Sequence, residues 1–168
     1  MNLIAFGYFK NILQKDDEVL ITESEHASNI LPWFILAKEI GIKVKYIPLS
    51  KKNEVIIENV EKAITPKTKV ISLAQITNVI GDIRPIQEIS SIAHKKNIYV
   101  VVDAAQSIAH TKVDVQKLDI DFLAFSAHKV YGPTGVGVMY GRKELLEKML
   151  PLSYGGGMNA SFTKDGDY

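Results

Sequence analysis

Short apolar runs alternate with amphipathic stretches along the whole chain. "EVLIT" (Glu18–Thr22), "VKYIPL" (Val44–Leu49), "KVISLA" (Lys69–Ala74), "IYVVVD" (Ile98–Asp103), "DFLAFS" (Asp121–Ser126) and "GVGVMYG" (Gly135–Gly141) predict six short strands. The run "YVVV" is apolar at consecutive positions, as in a strand covered on both faces of a parallel sheet. Between the runs lie helical patterns. "PWFILAKEIG" (Pro32–Gly41) has proline at its start and glycine at its end. "IENVEKAI" (Ile57–Ile64) and "RKELLEKML" (Arg142–Leu150) are two more. "PIQEISSIAHKK" (Pro85–Lys96) places Ile86, Ile89, Ile92 and Ala93 on one face, with lysines in its last turn. The alternation predicts a three-layer α/β/α sandwich around a mostly parallel sheet. The sixth strand follows the fifth after a loop too short for a helical crossover. It is therefore predicted to run antiparallel, or to carry a long functional loop.

A length of 168 residues suits one domain with one core. Apolar content of 46%, charged content of 23% and a net charge of +1 fit an ordinary soluble globular chain. They supply no electrostatic argument for nucleic acid or an acidic membrane surface. Cysteine is absent, which removes disulfides, thiolate metal sites and any thiol nucleophile within the chain. The opening "MNLIAFGYFKNIL" is too short to span a bilayer and lacks the basic start of a signal peptide. It is read as a helix, and the expected location is the cytoplasm. Met1 falls within that helical pattern without a cap, and the end, "YGGGMNASFTKDGDY", is glycine-rich and polar. The expected organisation is one core over residues 1–152, then a tail over residues 153–168, as a piece of a larger protein.

Ligands of open α/β sheets bind beyond the carboxyl ends of the strands. The polar residues falling there are His26 and Asn29 after the first strand, and Gln75 and Asn78 after the third. Asp103, Gln106 and His110 follow the fourth, and Ser126, His128 and Lys129 the fifth. An acid ending an apolar strand needs a partner. Asp103 is thus either a helix cap or metal ligand, or the partner of a protonated ring nitrogen. Lys129 is either a solvated loop lysine or an amine whose pKa is lowered by desolvation into a nucleophile. His26 is a turn or capping histidine, or an imidazole for stacking or proton transfer. His94, near a helix C-terminus, is assigned to the dipole and not to catalysis. An aspartate for a pyridinium and a lysine for a Schiff base together form the usual protein half of a pyridoxal phosphate site.

Other motifs fail. In "GPTGVGV" a valine, Val138, stands where a Walker lysine belongs, and "GVGVMY" lacks the third glycine of a dinucleotide fingerprint. Neither H-E-x-x-H nor G-x-S-x-G occurs. Four scattered histidines without cysteine make a poor zinc site, so no metal is expected.

"DAAQS" followed by "HTKVDVQKLDIDFLAFSAHKVYGPTGVGVMYGR" closely resembles the class V aminotransferases of fold-type I, whose large domain binds pyridoxal 5'-phosphate. "SEHASNILPW" and "ITNVIGDIRPIQEISSIAHK" resemble the Suf-type (group II) cysteine desulfurases within that family. The resemblance implies that Lys129 holds the cofactor as a Schiff base and that Ser126 and His128 bind its phosphate. Asp103 would pair with the ring nitrogen, Gln106 would contact the ring hydroxyl and His26 would stack on the ring as an acid or base. Asn78 would lie near the hydroxyl and the substrate carboxylate. The implied reaction converts L-cysteine to L-alanine and passes sulfur to a protein thiol for iron–sulfur cluster assembly, in a homodimer with a sulfur-acceptor partner. Three departures stand out. The family's phosphate-binding turn would precede Met1, its catalytic cysteine and substrate arginine would follow the chain, and Ala27 replaces a second histidine. The resemblance also admits a selenocysteine lyase, a kynureninase-like enzyme, an isopenicillin-epimerase-like protein or a non-catalytic fragment.

Overall fold

The computed structural model describes residues 1–156 and 163–165. The rest of the expected glycine-rich tail, residues 157–162 and 166–168, lies outside the described residues. Six strands form one sheet: β1 (Glu18–Ile21), β2 (Lys43–Tyr46), β3 (Thr68–Ala74), β4 (Tyr99–Asp103), β5 (Phe122–Ser126) and β6 (Gly137–Gly141). Their order is β2-β1-β3-β4-β5-β6. The first five pair in parallel, and β6 runs antiparallel to β5 with Ser126 opposite Gly137. All six predicted strands exist; β1, β4, β5 and β6 are shorter by one or two residues, β3 is longer by one, and β2 starts one residue earlier and ends three earlier.

The helices are α1 (Asn2–Gly7), α2 (Ala27–Ile40), α3 (Ile57–Ala63), α4 (Ile86–His94), α5 (Ser107–His110), α6 (Val115–Leu118) and α7 (Lys143–Leu146). Two apolar clusters cover the two sheet faces, which gives the three layers. On one face Ile4, Phe9, Trp33 and Leu36 from the α1 and α2 side pack on Val19, Val70, Val101 and Phe122. On the other, Val60, Ile86, Ile89 and Ala93 from α3 and α4 pack on Leu20, Ile71, Val100 and Val102. Strand β4 is buried on both faces, as its continuous apolar run requires.

The helices differ from the sequence expectation in three main places. The opening stretch, read as one helix, forms α1 only over Asn2–Gly7 and then a 3₁₀ turn, Phe9–Asn11. Helix α2 begins at Ala27, so Pro32 sits inside it and not at its start. Proline there has no N–H for the carbonyl of Ser28, but Ser28 lies exposed, where water can take up that carbonyl. The helix ends as expected, at Gly41 with φ of 79°. Helix α7 stops at Leu146, short of the expected Leu150. The chain there turns back onto α1, with Leu150 N–H donating to the carbonyl of Gly7 at 2.8 Å. Among the described residues, no helix is long and apolar enough to cross a membrane.

Candidate functional site

A cleft of about 820 Å³ opens along the carboxyl edge of the parallel strands. Its lining includes His26, Asn78, Asp103, Gln106, Ser126, His128 and Lys129, seven of the ten residues drawn from the strand ends in the sequence. Asn29, Gln75 and His110, drawn from the same strand ends, do not line it. Asn29 is fully buried and bonds to Glu25 and Ser72. Gln75 is buried at the end of β3, and His110 lies exposed at the end of α5.

Asp103 ends β4 and is 6% exposed. Its Oδ1 accepts the Ala105 N–H at 2.9 Å. Burial pushes its carboxyl above the ordinary carboxylate value, with the Ala105 N–H opposing and the Glu25 charge adding to the rise. A carboxylate in that condition gains from any cation placed beside it. Gln106 lies three residues after Asp103, in the short turn Ala105–Gln106 before α5, and is half-buried.

His26 is the N-cap of α2, in extended backbone, and its Nδ1 accepts the Ser28 N–H at 3.2 Å. The capping alternative is thus realised, and the same ring also lines the cleft. With Nδ1 accepting, the neutral imidazole carries its proton on Nε2.

Ser126 ends β5, and His128 and Lys129 lie on the single 3₁₀ turn Ala127–Val130 beyond it. The glycine-rich segment after Lys129 closes this turn. Ala127 N–H donates to the Val136 carbonyl, and the Ala127 carbonyl accepts from Gly132, both at 2.9 Å. A Cβ on Gly132 would fall 2.9 Å from that of Ala127, so only glycine fits. Tyr131 takes the left-handed conformation at φ of 65°, a costly one for a bulky side chain. Of the two readings of Lys129, the solvated one describes this structure, because its turn stands past the sheet edge and the residue is exposed. Asn78 is likewise exposed, on a hairpin after β3 pinned by the Ile76–Ile83 bridge.

Sequence reasoning missed Glu25 and Arg84. Both side chains are fully buried and form an ion pair. The Glu25 carboxylate also accepts from Thr22 Oγ1, Asn29 Nδ2 and the Ala74 N–H, each at 2.8 Å. Arg84 Nη2 donates to Thr22 Oγ1 at 2.8 Å and to Ser24 Oγ at 2.7 Å. The only signal was two charged residues beside apolar runs, and sequence separation hid their pairing.

Chemically, the cleft brings together an amine, a buried carboxylate, two imidazoles, two amides and a hydroxyl. Among the described residues, no cluster of three or more His, Cys, Asp or Glu is placed to hold a metal ion.

A probable cysteine desulfurase of Halalkalibacterium halodurans is 49% identical over 158 residues, covering 94% of this chain and 39% of that protein. The crystal structure of the cysteine desulfurase CsdA (S-sulfonic acid) from Escherichia coli superposes with a TM-score of 0.95 at 41% identity, over 98% of this chain and 41% of that one. SspA in complex with cysteine superposes with a TM-score of 0.82 at 33% identity, over 94% of this chain and 45% of its own. The chain thus spans less than half the length of each of these relatives. A family model described as Aminotransferase class-V matches residues 1–167, and the chain belongs to that family.

Proposed function

We propose that this chain forms the cofactor-binding core of a pyridoxal-phosphate-dependent cysteine desulfurase of the Suf-type branch, with residues 1–152 as that core. The observation that carries the reading is the meeting in one cleft of Asp103, a buried carboxylate, with Lys129 and the donors Ser126 and His128. The residues fit the group: its pyridinium meets the need of Asp103, and its phosphate suits a hydroxyl and an imidazole beside a lysine.

When bound, pyridoxal phosphate supplies an aldehyde for covalent attachment and an electron-accepting ring. Lys129 Nζ would be the attachment point, and as a free amine beside the substrate it would be the base for the α-proton. Asp103 would hold the positive charge of the ring nitrogen, and its low-dielectric setting would strengthen that pairing. Gln106 and Asn78 would hold the ring hydroxyl and the substrate carboxylate by hydrogen bonds. His26 would offer its imidazole, with the Nε2 proton, to the bound group. L-Cysteine is the proposed substrate, in line with the names of the relatives and the cysteine-bound neighbour. A second copy of the chain and a sulfur-acceptor protein complete the proposed assembly. The apolar Val79 and Ile83, 87% and 67% exposed on the hairpin that carries Asn78, suit such a contact.

The chain holds no cysteine, so no persulfide forms on it. Loaded with pyridoxal phosphate and given L-cysteine, it is expected to change its visible absorbance without releasing alanine faster than free cofactor does. No absorbance change with L-cysteine would contradict the substrate assignment, and enhanced alanine release would contradict the need for an outside thiol.

A further inference from the structure

Strands β1 and β3 are neighbours, yet the helices that follow them lie on opposite faces of the sheet. The crevice opened where connections diverge in this way is where open α/β sheets receive ligands. His26 stands on the loop after β1 and Asn78 on the hairpin after β3, so these two residues form opposing walls of the cleft. Glu25 adjoins His26 in sequence. Arg84 ends the hairpin, its N–H donating to the Gln75 carbonyl at 3.0 Å, while Thr77 N–H donates to the Asp82 carbonyl at 3.1 Å. The Glu25–Arg84 pair therefore joins the two walls directly, and neither residue itself lines the cleft.

Two features separate this pair from a simple stability element. Buried ion pairs are often replaceable by apolar residues without loss of stability, so burial alone does not account for one here. What a guanidinium fork and a carboxylate do supply is direction, because each hydrogen bond fixes an orientation. The partners here are all parts of the two walls: Thr22 and Ser24 after β1, Asn29 on α2, and both backbone groups of Ala74, whose carbonyl accepts from Arg84 Nη1 at 3.3 Å. Ser72 Oγ extends the network by donating to Asn29 Oδ1 at 2.7 Å.

We infer that Arg84 and Glu25 are positioning residues that set the separation and orientation of His26 and Asn78 across the cleft. The inference rests on the pyridoxal phosphate reading of that cleft for its functional meaning, but not for its geometry.

The test has two arms. In the cofactor-free chain, Arg84→Lys keeps the charge and loses the fork. The His26 ring and Asn78 side-chain amide NMR signals are expected to shift together, while the His94 ring at the far end of the sheet stays at its wild-type position. A folded Arg84→Lys chain with His26 and Asn78 signals unmoved overturns the inference. Should Arg84→Lys fail to fold, the double variant Glu25→Gln with Arg84→Gln leaves neither member of the pair charged and enters the same comparison. In the second arm, pyridoxal phosphate affinity is measured in a double-mutant cycle. His26→Ala is expected to weaken binding about fivefold in the wild-type background and less than about twofold beside Arg84→Lys. Additive effects contradict coupling through the pair. If the wild-type chain takes up no pyridoxal phosphate, the cofactor reading fails alone, and the NMR arm still decides the positioning role.

Discussion

Asp103 sits at the end of β4 with its carboxyl raised by burial, and the single Ala105 N–H only partly offsets that cost. An acid whose folded pKa lies above its unfolded value binds more protons when folded. Its ionisation therefore lowers stability as pH rises from the ordinary aspartate value, about 3.9, through the raised one. Asp103→Asn removes that cost while its side-chain oxygen can still accept from Ala105. The cofactor-free variant is expected to melt at a higher temperature than wild type at pH 7, with the difference fading toward pH 4. Thermal unfolding at several pH values measures this, and an unchanged or lower melting temperature at pH 7 would count against an unfavourable buried charge. The same substitution is expected to weaken pyridoxal phosphate binding, since a neutral amide cannot pair with a pyridinium. A residue that costs the empty fold stability and holds the ligand is a common trade at functional sites.

At the scale of elements, the strands were legible and the helix ends less so. Continuous apolar runs such as Tyr99–Val102 have few alternatives to a buried strand, whereas α2 starts at a histidine cap that no propensity rule favours. Pro32 drew the expected start five residues late, because proline is usual at a first turn and rare within a helix. Helices α5 and α6 are single turns of four residues, too short to show a period. Contacts between elements were out of reach as well. His94, read as a dipole partner at the end of α4, bonds Asp119 at 3.1 Å and Asp121 at 2.9 Å, and Arg142 joins both acids. The His94 hydrogen bond, and then Arg142, hold the Asp119 carboxyl below its ordinary value. Its stabilising contribution is present above about pH 4 and is lost as pH falls through the lowered pKa. Asp119 is largely exposed, so Asp119→Asn is expected to cost under about 1 kcal/mol at pH 7, and less in high salt. Urea titration in low and high salt checks it. Packing of β6 against α7 is tighter: a Cβ on Gly141 would meet Leu146 Cδ2 at 2.7 Å and Phe122 Cε1 at 2.9 Å. Gly141→Ala is expected to destabilise the chain by about 1–3 kcal/mol, read from the same titration.

Across the whole molecule, the sheet order gathers the ends of β1, β3, β4 and β5 on one edge, and the cleft residues follow from that topology. The seven residues were legible because each is polar and ends or follows an apolar strand; strand direction brings them to one edge, and side-chain direction keeps Asn29, Gln75 and His110 out of the cleft. Glu25 and Arg84 were not, because 59 positions separate them and only the folded chain shows them paired. The relatives are cysteine desulfurases more than twice as long as this chain, and the family is that of the class-V aminotransferases. The central claim is that this cleft carries pyridoxal phosphate on Lys129. Its most direct test is to add pyridoxal phosphate, reduce with borohydride and map the labelled peptide by mass spectrometry. The account predicts one dominant label on Lys129 that disappears in Lys129→Ala. A label spread over the surface lysines, or one that survives Lys129→Ala undiminished, would contradict it.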